Sequence, residues 1–135
     1  TTAGSVTVPS FTATRVAAGS FRVAELRLAS NHTTGLSGVQ VTVRLWIAAP
    51  TFTNGDNGAY AVATSGAGLN YLGTFAGVFE QFADGAAAIL TSQSGFAKSV
   101  KLASGQTVYW DLQTNAAFTP QSGKTFTLTP NIEQD

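Results

Sequence analysis

The chain has 135 residues, no cysteine, no methionine and a formal net charge of zero, seven basic side chains balancing seven acidic ones. The absence of cysteine excludes a disulfide framework, a thiolate metal site and a cysteine nucleophile, and the charge balance leaves no electrostatic footprint for nucleic acid or an anionic membrane. Charged residues are 10% of the chain where an average domain carries roughly 25%, so a surface of Thr, Ser, Gln and Ala is expected, partly covered by a partner or by copies of itself. No apolar run approaches the roughly 20 residues a membrane-spanning helix needs. The length fits one domain over residues 1–135 with a sizeable core, its first residues, Thr1 to Ser10, forming a flexible N-terminal arm.

In chain order, Ser5 to Val8 reads as a short strand stopped by Pro9, which lacks a backbone donor, and Phe11 to Arg15 resumes it. A turn at Ala17 to Ser20 leads into Phe21 to Leu28. There Phe21 and Val23 alternate in one phase and Leu26 and Leu28 in the other, which predicts a bulge near Ala24 and Glu25. Asn31 to Gly38 is a loop. Val39 to Ala48 is the clearest strand: Val39, Val41, Val43, Leu45 and Ile47 face the core, Gln40, Thr42, Arg44 and Trp46 face away, and the β-branched content suits a central position.

Beyond it come a turn-forming cluster at Asn54 to Gly58, a short strand at Tyr60 to Ala63 and a small-residue loop at Ser65 to Gly68. Tyr71 to Phe82 is an aromatic-rich strand kinked at Gly73 and Gly77 and packed closely on neighbouring backbone. Strands follow at Ala86 to Thr91, Phe96 to Leu102, Thr107 to Leu112 and around Phe126 and Leu128, with turns at Asp84-Gly85, Ser104-Gly105 and Ser122-Gly123. About eight or nine short strands with no long amphipathic helix predict an all-β fold. The expected form is a two-sheet antiparallel β-sandwich of jelly-roll type.

The chemistry on offer is sparse. His32 is the one histidine and lies in a loop, which predicts a solvated side chain; Asn31-His32-Thr33 also spells a glycosylation sequon. Asn54, Asp56 and Asn57 supply oxygen atoms in a Gly-rich loop, but no distal glutamate completes a calcium loop, so turn formation is the expected role. Glu25, Glu80, Asp84 and Asp111 could be paired on paper for glycoside hydrolysis, although Asp84 has a plain turn role and Glu80 and Asp111 sit in polar strand phases. No enzyme, metal or cofactor is therefore expected. The candidate functional residues are Arg44, Trp46 and Tyr109, large side chains in the polar phases of their strands. They are read as an interface, with capping of a sheet face under a loop as the plainer role for Trp46.

From Val43 onward the order of motifs resembles small structural proteins of tailed bacteriophages that sit on or next to the capsid. The residues that carry it are Val-Arg-Leu-Trp-Ile-Ala-Ala-Pro-Thr-Phe at Val43 to Phe52, Asn-Gly-Asp-Asn-Gly-Ala-Tyr at Asn54 to Tyr60, Tyr-Leu-Gly-Thr-Phe at Tyr71 to Phe75, and the closing stretch Ala116 to Thr129. The resemblance implies a non-enzymatic β-sandwich virion protein, a head decoration or cement protein on the capsid exterior. Its implied partners are the major capsid protein and copies of itself, as a trimer at a threefold position. The alternative from another class is a carbohydrate-binding or host-adhesion module of a tail or fibre, with Trp46 and Tyr109 as stacking platforms.

Overall fold

A computed structural model describes residues 8–55, 58–63, 67–93, 99–116 and 118–134. Its strands are β1 (Ser10–Thr12), β2 (Ser20–Ser30), β3 (Gln40–Trp46), β4 (Tyr71–Val78), β5 (Glu80–Phe82), β6 (Gly85–Ser92), β7 (Val100–Lys101), β8 (Thr107–Thr114) and β9 (Phe126–Gln134), with one helical turn, α1 (Ala67–Asn70). The all-β expectation holds. Where the sequence predicted two sheets, hydrogen bonding runs through all nine strands as one curled antiparallel sheet, in the order β1-β8-β3-β4-β6-β2-β7, with β5 on β6 and β9 on β2.

β3 is central, as its pattern requires, held between β4 and β8. Its alternation buries Val41, Val43 and Leu45, each worth about 1.5–3 kcal/mol against exposure. Across the core lies β2, whose register with β9 slips between Val23 and Glu25. The bulge explains the phase switch: Phe21 and Val23 before it and Leu26 and Leu28 after it all point inward, because one extra residue re-aims the strand by one face. Ala13, Leu36, Phe75, Phe79, Ala86, Ala88, Leu90, Leu102 and Val108 complete the core among the described residues. Pro130 falls within β9 and is tolerated because β9 pairs with β2 alone, along the edge of the sheet.

The two halves of the sheet join where β4 meets β6, at Phe75–Ser92 and Ala76–Thr91. The strand expected from Tyr71 to Phe82 is present as β4 and β5, which continue one line along β6; the interruption lies at Phe79, whose backbone exchanges hydrogen bonds with Gly38 and Val39, and not at Gly73 or Gly77. Gly77 makes the crossing possible. A Cβ at that position would sit 2.4 Å from the carbonyl oxygen of Ile89, inside any real contact.

Several expectations need amendment. The expected strand at Tyr60 to Ala63 is reduced to a single bridge between Phe52 and Val62, and the loop ending at Gly68 runs into α1. The Phe96 to Leu102 strand is seen as β7 only, since residues 94–98 lie outside the described part, as do residues 1–7 and with them most of the expected arm and of the strand at Ser5 to Val8. His32 is not a solvated loop residue. It is 1% exposed, because the loop after β2 tucks beneath the segment leading into β9 and Phe118 and Phe126 cover its ring.

Candidate functional site

The side chains of β3 and β8 that face away from the core meet in pairs set by register: Arg44 stands opposite Asp111, Trp46 opposite Tyr109 and Thr42 opposite Gln113. The three residues singled out in the sequence therefore share one face, two strands wide. Tyr109 is half-buried and pairs on its other side with Ser10 of β1. Trp46 is 5% exposed, packed edge-to-face on Tyr71 at 5.4 Å.

Over this face folds the connection between β3 and α1. The Thr53 amide donates to the Ala61 carbonyl at 3.0 Å and the Ala63 amide to the Thr51 carbonyl at 2.8 Å, so the chain doubles back as a narrow flap. Asn54 closes its tip by donating Nδ2–H to the Ala59 carbonyl at 2.7 Å, which is the turn role expected of that cluster. Asp56 and Asn57, the other oxygen ligands considered for calcium, lie outside the described residues. The flap delivers Tyr60 onto the site: its ring lies 4.1 Å from the Arg44 guanidinium carbon, a cation–π contact, and packs edge-to-face on Phe52 at 5.7 Å.

Asp111 is the hub. One carboxylate oxygen accepts the indole N–H of Trp46 at 2.6 Å and the Tyr60 hydroxyl at 3.1 Å, and the other faces Arg44 Nη1 at 3.5 Å. Arg44 also donates from Nη2 to Gln113 Oε1 at 2.8 Å. Burial pushes the Asp111 carboxyl above the ordinary carboxylate range; the Trp46 hydrogen bond and the Arg44 charge oppose that rise without cancelling it. Burial and then the Asp111 charge likewise drive the Tyr60 hydroxyl upward, so it stays a donor at all physiological pH.

This arrangement is an anchor. Three donors of the same chain converge on the Asp111 carboxylate, which ties β3, β8 and the flap together. Glu25 and Glu80, weighed as its carboxylate partners, lie on β2 and β5, neither of which adjoins β8, and Asp84 lies in the turn after β5. Among the described residues no group of three His, Cys, Asp or Glu side chains could hold a metal ion. Beside the anchor runs a cleft of about 820 Å³, with Phe52 and Tyr60 on the flap side, Trp110 and Leu112 on β8, and Phe118 and Phe126 opposite.

The sequence put Arg44 and Trp46 on one face and Tyr109 in the matching phase of its own strand. It missed Tyr60 and Gln113 and treated Asp111 only as a stray acid. The signal for Asp111 was its place in the same phase as Tyr109; the signal for Tyr60 was weak, an aromatic closing a turn cluster. Comparison with protein-family models, with curated proteins and with solved structures finds no match to this chain.

Proposed function

We propose that this chain is a non-enzymatic structural protein of a tailed-bacteriophage virion, a decoration or cement protein that binds the major capsid protein on the outside of the head and associates with copies of itself, as a trimer. On this reading the two halves of the curled sheet serve as the two layers of a jelly-roll-like sandwich, and neither nucleic acid nor membrane is a partner. The observation that carries the proposal is apolar surface on the face turned away from the core. Val78 on β4, Phe82 on β5 and Ile89 on β6 are each about half exposed, on strands that pair directly through β6. Together with the scarcity of charge and the motif order from Val43 onward, that is the surface of a protein built to be covered. Repetition on a symmetric shell would multiply a modest contact by avidity.

The carbohydrate-binding alternative has lost its main platform, since the Trp46 ring is buried under the flap and against Tyr71. The test is to strip the protein from purified virions and compare their survival of heat and osmotic shock with that of intact particles. Restoration by added wild-type protein but not by a Val78→Asp, Ile89→Asp variant supports the proposal. Stripped particles as robust as intact ones refute the cementing role.

A further inference from the structure

His32 is a buried titratable group outside the anchor described above, and its hydrogen bonds fix its proton. The Ser30 hydroxyl has one hydrogen, which it donates to the Thr125 carbonyl at 2.8 Å. The same oxygen accepts the His32 backbone N–H at 3.2 Å and lies in hydrogen-bond contact with His32 Nδ1. With the hydroxyl proton spent on Thr125, the imidazole must be the donor, so Nδ1 carries the proton and Nε2 a bare lone pair. Nε2 is buried and has no hydrogen-bond partner among the described residues. Its ring packs against Phe126 at 5.2 Å and Phe118 at 6.1 Å.

The segment that covers this ring is tied down around it. Gln121 Oε1 accepts the Thr33 amide at 2.8 Å, Gln121 Nε2 donates to the Thr34 hydroxyl at 3.2 Å, and the Thr125 amide donates to Asn31 Oδ1 at 2.9 Å. Phe118, Lys124, Thr125 and Phe126 of the same segment form one wall of the cleft along β8. A proton placed on Nε2 would be a buried positive charge with no acceptor. Among the described residues the surrounding groups do not offset it: Ser30 of β2, Gln81 of β5, Phe79, Phe118, Gln121 and Phe126 are uncharged, and the charge acting on the ring is that of Lys124, of the same sign. Burial first and Lys124 second hold the ring neutral below its ordinary range.

We propose that His32 is an acid-sensitive latch: neutral, it seals residues 118–126 against the loop after β2, and protonation at Nε2 releases that segment and opens the wall of the cleft. Protonation and opening are coupled because the proton reaches Nε2 only when the phenylalanine cover lifts. The opened ring titrates near the ordinary histidine value of about 6.5, so acid favours the open form by about tenfold for each unit by which closure depresses the ring.

Two measurements on the full chain decide it. The single histidine makes the ring signals unambiguous by NMR. Expected are an Nδ1–H tautomer at pH 8 and a protonation midpoint below that of a model peptide; an Nε2–H tautomer or an unshifted midpoint overturns the proposal. Amide exchange at Thr125 and Phe126, corrected for intrinsic pH dependence, should speed up between pH 7.5 and pH 5 while β3 amides stay unchanged. In His32→Asn, which keeps a donor toward Ser30 but cannot titrate, that acceleration should vanish. Equal acceleration in both proteins overturns the latch. If His32→Asn does not fold, the wild-type protein still decides: ring protonation with no change in Thr125 exchange refutes the coupling.

Discussion

Replacing Asp111 by alanine removes the one acceptor shared by β3, β8 and the flap. The indole N–H of Trp46, 2.6 Å from the carboxylate, would be left buried without a partner, which costs about 1–3 kcal/mol. Arg44 loses less, since its side chain is 23% exposed and keeps Gln113 at 2.8 Å. Tyr60 lines the cleft and can turn its hydroxyl to water, which limits its loss to under about 1 kcal/mol. Part of this is offset because the buried carboxylate, raised above its ordinary range, no longer has to be desolvated. The net expectation is a loss of about 2 kcal/mol. In urea, followed by tryptophan fluorescence, a slope near 2 kcal/mol/M places the midpoint about 1 M lower with the slope itself unchanged. Proteolysis within the flap, around Asn54 to Gly58, should speed up in parallel. Asp111→Asn keeps an acceptor for the indole and should stay within about 1 kcal/mol of wild type. A variant Asp111→Ala within about 0.5 kcal/mol of wild type, its flap as resistant to protease as before, would refute the anchoring role.

Gly77→Ala drives a methyl group into the Ile89 carbonyl at the junction of the two half-sheets, and thermal unfolding should report a loss of at least about 2 kcal/mol. By contrast Arg22→Ala, which breaks the exposed ion pair with Glu133 on β9, should shift stability by no more than about 0.5 kcal/mol in the same measurement. Deleting Ala24 takes away the residue that reconciles the two phases of β2; either Phe21 and Val23 or Leu26 and Leu28 must then turn to solvent, and circular dichroism should show loss of the cooperative fold. Stability should also fall as pH drops below about 6.5, because the folded state depresses His32 and so binds its proton later than the unfolded chain does. Asp111 acts with the opposite sign, its raised carboxyl favouring the folded state most under acid and least once it ionises. Urea midpoints from pH 8 to pH 4 should therefore drop first and then level, and the first drop should be missing in His32→Asn.

The elements themselves were legible because strand periodicity is a local property. Val41, Val43 and Leu45 on one face of β3, the doubled phase of β2 around Ala24, and the turns at Gly105 and Gly123, both with positive φ, follow from residues within ten positions of one another. Pairing is not local. Arg44 and Asp111 are 67 positions apart, and which strand lies beside β3, in which register, depends on how every buried face is shared at once. That choice turned three scattered polar-phase residues into one cluster, brought Tyr60 to it from a flap, and buried Trp46, whose phase alone pointed outward. His32 shows the same limit from the other side. Its loop sequence reads as solvated, and only the return of Phe118 and Phe126 from the far end of the chain excludes water from the ring and fixes which nitrogen holds the proton. Sequence determined the strands, their faces and the near-absence of charge; the tertiary structure alone decided which side chains meet, because meeting depends on contacts between residues that no local pattern links.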